Sequence, residues 1–516
     1  MDGQGQELIQ NRITADEDIK ENKMEDYMVT EPYAHQTEAL ELSKDRRAYG
    51  LLLEQGLGKT KVILDNAAYL FYEDKIAGLL VFAPNGVHTN WIRRECPVHL
   101  TDGADPMLFA YDTVKRKNKS YQKLWKEFLR HEGLCVFAIN IEALSTSINA
   151  LKDAEKFLRS RKCMLVVDES SRIKTPKSKR TKNIIKLGRL APYRRILTGT
   201  PVTQSPFDLF TQFKFLDADY LGFGSYYAFK HHYGIWETEV LVQNGQTRQF
   251  EKLVKHMRLD DLARRIKPHS FRRTKAECLD LPPKIYKTIS LPMSPAQSKL
   301  YNRMDEHGIL EFDNLEILAP HQITKLLRLQ QITGGFIPSE EIDPTTQISG
   351  QAIPGPNPKL NFLIDAVTDD YHGKTIIWAK FRFEIDLIVQ TLGEKFGHQS
   401  IVQIHGGVTG DARDNSVDRF QTDDTCRFLV GQQASGIGIT LHAAETVFYY
   451  SNPFSYEQRY QSEDRAHRIG LKHPVVYIDL VVSYGNEVSV DEKVRGILHK
   501  SRKIADKITG DSERRS

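Results

Sequence analysis

The 516-residue chain contains only five cysteines, Cys96, Cys135, Cys163, Cys278 and Cys426, and no two form a C-x-x-C pair. Their scatter argues against a clustered zinc module or a disulfide framework. It suits a reducing intracellular compartment, either cytoplasm and nucleoid or a nucleus. Long apolar runs are missing as well. No stretch approaches the roughly 18 uninterrupted apolar residues of a membrane span, and the polar N-terminus lacks the apolar core of a secretory signal. Nor does one sign of charge prevail, since 71 Lys and Arg face 67 Asp and Glu for a net charge of +4. Bulk composition therefore announces no nucleic-acid partner, and any basic surface must come from local clustering. No repeat of fixed period occurs. What is there, 40% hydrophobic and 27% charged residues, is ordinary for a soluble chain long enough for two or three domains.

Residues 1–28 are polar and acid-rich and predict a loose tail. From 29 to about 283, short apolar runs alternate with helical patterns, with candidate strands at Leu79–Ala83, Leu134–Asn140, Met164–Val167 and Arg195–Thr198. Strands alternating with helices predict an α/β lobe built on a parallel sheet covered on both faces. Between about Phe213 and Gly335 the strand signal fades and charged helical patterns dominate. Residues 284–358 are expected to form a helical protrusion and linker, with Pro338 to Pro358 rich in turn-forming residues. Alternation resumes over 359–500 for a second lobe, and 501–516 reads as a tail.

The segment Glu54-Gln55-Gly56-Leu57-Gly58-Lys59-Thr60 follows an apolar run and leads into Val62, Ile63, Ala67, Leu70 and Phe71, spaced as one helix face. Strand, glycine-rich turn and helix N-terminus aim backbone N–H groups and the positive dipole end at an anion. Gly56, Leu57 and Gly58 would shape the cradle, Lys59 would reach terminal phosphates, and Thr60 would hold Mg²⁺. The strict phosphate loop carries a glycine where Leu53 stands, so an ordinary helix-capping turn is the alternative. Asp168-Glu169 closes the apolar run Met164-Leu165-Val166-Val167. Asp168 suits a metal ligand, and Glu169 a group that orients or deprotonates water. Farther on come Leu197-Thr198-Gly199-Thr200-Pro201, then Gly431 through Thr440, then Gln461 through Gly470. Arg465 and Arg468, three apart, would share a helix face and suit charge developing on a γ-phosphate. A solvated basic face is the usual explanation of such a pair, and the ordered motifs argue against it.

In this order the motifs resemble a Swi/Snf-type ATPase of helicase superfamily two, from about Pro32 to about Leu498. Pro32-Tyr33-Ala34-His35-Gln36 is similar to that family's adenine-reading element, and Leu80 to Pro84 through Asn90-Trp91 resembles its first DNA-contacting motif. Phe271 to Lys275, then Leu281 to Lys284, resembles its junction between lobes, and Asp464-Arg465-Ala466-His467-Arg468-Ile469-Gly470 is the most specific match. The resemblance implies two RecA-like parallel-sheet lobes with helical protrusions between them. Lys59, Asp168, Glu169, Arg465 and Arg468 would be catalytic, with Gln36 and Gln461 added to the ATP-binding set. It implies ATP and Mg²⁺ as cofactors and duplex DNA as the track, gripped mainly by its phosphates. Trp91, Lys174, Lys177, Gly436, Gly438 and Thr440 would touch that track, with a buried tryptophan of the first lobe as the alternative for Trp91. Ser171 stands where the family commonly has a histidine coupling the ATP site to the cleft.

Two basic clusters could line a track: Arg172, Lys174, Lys177, Lys179, Arg180, Lys182 and Lys186, and Lys115, Arg116, Lys117, Lys119 and Lys123. The expected activity is ATP-dependent translocation along double-stranded DNA, moving or remodelling DNA or protein bound to it. A strand-separating DNA or RNA helicase is the alternative. A small-molecule kinase would leave the second lobe's arginines unexplained, and an inactive scaffold would not retain all five catalytic groups. No histone-reader module is visible in the sequence.

Overall fold

Apolar runs without polar interruption cannot face water on either side, and here they become the central strands of two parallel sheets. The computed structural model describes residues 27–243, 246–305, 320–337, 350–408, 410–436 and 438–511. In the first lobe β1 (Ala48–Leu53), β2 (Gly78–Ala83), β3 (Met107–Ala110), β4 (Cys135–Asn140), β5 (Cys163–Asp168) and β6 (Tyr193–Leu197) are followed by an antiparallel hairpin of β7 (Gly234–Gln243) and β8 (Gln246–His256). Strand β9 (Ser270–Arg273) then returns to the sheet, whose order is β3-β4-β2-β5-β6-β1-β9. Alternate residues serve opposite faces. Leu52, Leu80, Phe82, Phe137, Leu165 and Ile196 enter one apolar cluster, while Leu51, Leu53, Val81, Val136, Val166 and Leu197 enter the other.

The chain crosses to the second sheet between Arg273 and Lys284. There β10 (Lys284–Pro292) pairs in parallel with a strand close to the C-terminus. The small antiparallel pair β11 (Phe336–Ile337) and β12 (Gln351–Ala352) precedes β13 (Thr375–Trp378), β14 (Ile401–Ile404), β15 (Phe428–Gly431), β16 (Thr446–Tyr449) and β17 (Val475–Ser483). The order is β10-β17-β16-β13-β15-β14. Both lobes are thus α/β parallel sheets with an apolar cluster on each face. The helices Pro295–Asp305 and Pro320–Thr333 lie between β10 and the rest of the second sheet in sequence. Among the described residues, no helix is long and apolar enough to cross a membrane.

Several expectations need correction. Residues 284–292, assigned to the protrusion, form an edge strand of the second sheet. The region in which helices were expected contains the β7–β8 hairpin, anchored by Trp236 stacked on Phe207 at 5.6 Å. The helix Val490–Thr509 runs on through most of the expected C-terminal tail and is stopped by Gly510 at φ 75°. Tyr27, placed in the N-terminal tail, is buried with its ring 5.7 Å from Tyr69. The rest of that tail (1–26), most of the Pro338–Pro358 linker and residues 512–516 lie outside the described residues.

The first core is strongly aromatic. Phe137 sits within 6.0 Å of Phe109, Trp125, Phe128 and Phe157, ring centroid to centroid. Phe137→Ala should therefore lower unfolding free energy by about 3–5 kcal/mol, read as a reduced urea midpoint. A loss below about 1 kcal/mol would show that this cluster can collapse around the void.

Candidate active site

The cleft between the lobes is built from the carboxyl ends of strands, the position where open parallel sheets accept ligands. Strand β1 delivers the loop 54–58 to the start of the helix Lys59–Tyr72. Gly56 and Gly58 hold φ values of 83° and 73°, which glycine adopts without strain. A Cβ on Gly58 would stand 2.1 Å from Nε2 of Gln36, so it would displace that amide from its present bonds. Gln36 accepts from the Tyr33 N–H at 3.0 Å and donates to the Leu57 carbonyl at 3.3 Å, while His35 contacts that carbonyl at 3.0 Å. The Leu57 side chain is buried in the core, so only its backbone shapes the loop.

The first lobe's charged groups converge here. Lys59 Nζ donates to the carbonyls of Leu53 at 2.9 Å and Glu54 at 3.2 Å. Burial pushes its ammonium below the usual range, against the pull of Glu169 and Asp168. Asp168 ends β5, with Oδ2 accepting from the Trp91 indole at 3.0 Å and Oδ1 from the Glu169 N–H at 3.0 Å. Glu169 is held at φ 49°, a left-handed backbone that costs a non-glycine residue about 1–3 kcal/mol and tends to mark functional sites. Burial, with Asp168 and Glu457 adding to it against Lys59, pushes its carboxyl up to about 7. Its Oε1 accepts from Gln55 Nε2 at 3.2 Å, and Oε2 is buried with no hydrogen-bond partner.

The second lobe adds its arginines from the far side. Arg465, on the helix Tyr456–Ala466, donates to Gln55 Oε1 at 2.9 Å, across the interface. Burial pushes its guanidinium down to about 10. Arg468 is not on the same helix face as Arg465, because the helix ends at Ala466 and His467 leaves the helical region. It reaches the cleft from the following turn, donating to Thr440 Oγ1 at 2.6 Å with Nε unpartnered. Lys59, Thr60, Asp168, Glu169, Gln36, Arg465 and Arg468 all line one cavity of about 670 Å³. Gln461 does not line it; its amide points to Glu457 Oε1 at 3.5 Å.

The residues expected on DNA are dispersed. Trp91 lines the same cavity but is buried, with its N–H committed to Asp168, so it supports the acidic pair. Gly438 and Thr440 line the cleft, and Gly436 is packed beneath Trp378, where a Cβ would meet the ring at 2.9 Å. Lys174 donates to Thr203 Oγ1 at 2.5 Å. Lys177 is exposed, together with Lys179, Lys182 and Lys186, on or beside a helix whose other face buries Thr181, Ile184 and Leu187. Arg116, from the other cluster, is paired with Asp153 at 2.7 Å and 3.0 Å.

Two known domain families match along the chain. The SNF2-related domain matches residues 35–333, more than half of the chain, and the helicase conserved C-terminal domain matches residues 358–470. The chain belongs to the SNF2-related family. Among its relatives, "Chromodomain-helicase-DNA-binding protein 1-like" from Danio rerio is 25% identical over 436 residues, 83% of this chain and 39% of that protein. "SWI/SNF-related matrix-associated actin-dependent regulator of chromatin subfamily A-like protein 1" from Drosophila melanogaster is 26% identical over 459 residues, 88% of this chain and 53% of that protein. The chain thus spans 39% and 53% of the length of these two relatives. A solved structure, "Sulfolobus solfataricus SWI2/SNF2 ATPase core in complex with dsDNA", covers 93% of the chain and is itself covered to 97%, at 20% identity and TM-score 0.40. A likeness of that size leaves the fold to be read from the chain's own sheets.

The SNF2-related core also contains contacts that the motifs did not announce. Ser171 Oγ donates across the interface to Glu457 Oε1 at 2.6 Å. Glu54 accepts the Lys275 N–H at 2.8 Å and the Tyr460 hydroxyl at 2.6 Å. Asp464 lies 3.1 Å from Lys275 Nζ and 3.3 Å from Lys284 Nζ. Burial alone would raise its carboxyl, but the two ammonium groups overcome this and hold it down at about 2. Lys275, sharing that carboxylate, is pushed down to about 8 by burial, while Lys284 is held well above its usual range.

An unfolded aspartate titrates near ~3.9, so the stabilisation from Asp464 is fully present above that pH and is lost as pH falls through about 2. Asp464→Asn should therefore be much less stable than the parent chain in urea at pH 6 but close to it at pH 2. An equal gap at both pH values would contradict this titration.

Proposed function

We propose that this chain is an ATP-dependent motor that hydrolyses ATP between its lobes and moves along double-stranded DNA, shifting the DNA or protein bound to it. The observation that carries the reading is one cleft holding Lys59, Thr60, Asp168 and Glu169 from the first lobe and Arg465 and Arg468 from the second. The donor set fits a magnesium nucleotide: a loop turned by positive φ at Gly56 and Gly58, cations bonded to neutral groups, and a buried carboxylate oxygen without a partner. Mg²⁺, held by Thr60 and Asp168, would neutralise phosphate charge when the nucleotide is bound. Lys59 would exchange the Leu53 and Glu54 carbonyls for phosphate oxygens, and Glu169 Oε2 would orient the attacking water. Arg465 and Arg468 would meet the charge that builds on the transferred group.

Family membership supports DNA as the partner, as do relatives named for DNA binding and chromatin. The exposed lysines 177, 179, 182 and 186 give a phosphate backbone a place to rest. The first lobe would span about 29–283. The second would comprise β10 together with 359–509, with the intervening helices as protrusions. Five unpaired cysteines, four of them buried, support a reducing intracellular location.

Lys59→Ala and Glu169→Gln should each lower ATP turnover on the order of 10²-fold or more, the latter with nucleotide affinity retained. Arg468→Ala should impair hydrolysis far more than binding. Near-parental rates in Lys59→Ala and Glu169→Gln would place the active site elsewhere.

ATPase rates measured with duplex DNA, single-stranded DNA and RNA at one salt concentration test the track. Duplex DNA should stimulate at least as well as single strands, with stimulation falling steeply as salt rises. A third strand of a triplex should be displaced with ATP while a forked duplex stays paired. Opening of the fork would favour a helicase, and stimulation by RNA alone would remove DNA as the partner.

A further inference from the structure

Gln55, inside the phosphate loop, bridges the two lobes at the point where the chemistry would occur. The side chain is 5% exposed. Its Nε2 donates to Glu169 Oε1 at 3.2 Å, and its Oε1 accepts from Arg465 Nη2 at 2.9 Å. The amide orientation is fixed by chemistry, because a guanidinium only donates and a carboxylate only accepts. The backbone of Gln55 is seated against Gly199, where a Cβ would come within 3.1 Å of the Gln55 nitrogen and 3.3 Å of its Cγ. The residue therefore has little freedom to leave this position.

No charged side chain could do the same here. A carboxylate would repel Glu169 and Asp168, whereas a cation would repel Arg465 and the nearby Lys59. An apolar side chain could fill the volume but satisfy neither partner, leaving Arg465 Nη2 and Glu169 Oε1 without the groups that now fix them. Arg465 is otherwise held by the carbonyls of Gln461 at 3.1 Å and Ile439 at 3.4 Å, both in its own lobe. Gln55 is thus its hydrogen-bonded link to the first lobe at the cleft.

We propose that Gln55 is a positioning residue, whose amide holds Glu169 and Arg465 facing one another across the cleft so that both are in place when the transferred phosphoryl group develops charge. This assignment rests on the hydrolytic reading above and deepens it. Pre-orientation lowers the cost of reaching the transition state and leaves ground-state nucleotide binding largely untouched.

The test uses the full chain and the variants Gln55→Met, which keeps the volume without the amide, and Gln55→Ala. Turnover and KM for ATP would be measured. So would equilibrium binding of a fluorescent ADP, with and without Mg²⁺ and aluminium fluoride, a readout that needs no turnover. Both variants should lose about 10-fold in kcat and about 10-fold in affinity for the aluminium fluoride complex, with KM and ADP affinity changed less than about twofold. In an Arg465→Ala background, Gln55→Met should add less than about twofold, because the bridge is already broken. Parental kcat in Gln55→Met would overturn the proposal, as would equal losses of ADP and aluminium fluoride affinity, or an undiminished effect in the Arg465→Ala background. If the parental chain neither bound ADP nor hydrolysed ATP, the hydrolytic reading itself would fall and take this assignment with it.

Discussion

Charge buried between the two sheets is the constraint on which the cleft depends. Asp464 sits between Lys275, which follows β9 of the first sheet, and Lys284, which begins β10 of the second. The two ends of the interlobe crossing are thereby fastened to the helix that carries Arg465. Glu54 does the reciprocal work from the phosphate loop, accepting from Lys275 and from Tyr460 on that same helix. The end of the C-terminal helix adds Asp511, paired with Arg272 at 3.1 Å and 2.6 Å. Breaking one partner of a buried pair strands a charge at a cost of several kcal/mol, so the lobes cannot slide past one another in small steps. They hold this register or exchange it for another in which the charges are again paired.

A few ångströms away the logic reverses. Lys59 rests on two carbonyls, Arg465 on an amide oxygen and carbonyls, and Arg468 on a hydroxyl. These cations are bonded to neutral groups, although Asp168 and Glu169 lie in the same cavity. A cation that exchanges a neutral oxygen for an anionic one gains the Coulomb attraction of a full opposite charge. A polyanion entering the cleft would therefore gain on each exchange, while the cations around Asp464 and Glu54 already face carboxylates. One interface thus carries both cations paired with carboxylates across the lobes and cations bonded to neutral groups.

Much of this was legible because burial on both faces demands continuous apolar runs, which are conspicuous in the segments that became β2, β4, β5 and β13. Strand β10 was missed because it lies at a sheet edge and reads Lys287-Thr288-Ile289-Ser290, with no apolar run. The β7–β8 hairpin stands outside the layered sheets, and its Glu237-Thr238-Glu239 looks like a solvated surface. Trp91 was open to two readings, since an indole suits a nucleobase and a core equally; the deciding fact is the partner its N–H finds, Asp168, 77 positions away. The link between Gln55 and Arg465 spans 410 positions, and no local pattern encodes it. The glycine spacing of 54–60 records what a turn requires, which is why the turn could be read while its cross-cleft contacts could not.

The displaced role of Thr440 bears on how the two proposed activities would be coupled. The segment between β15 and β16 is tied at several described points: among them, Gly436 packs on Trp378, Arg413 donates to the Ser435 carbonyl at 2.8 Å, Ile439 accepts from Arg465, and Thr440 accepts from Arg468. An arginine drawn toward a bound polyanion must either release Thr440 or carry it along. Ser171 offers a second connection, from the turn after Asp168-Glu169 to Glu457 at the start of the arginine helix. A hydroxyl reaches less far than the imidazole the family commonly places there, and the carboxylate of Glu457 makes up the distance from the opposite lobe. Both connections join a group at or beside the cleft to an element of the second lobe through one short hydrogen bond. Such bonds would transmit a change of state only where the packed sheets on either side are too dense to absorb it.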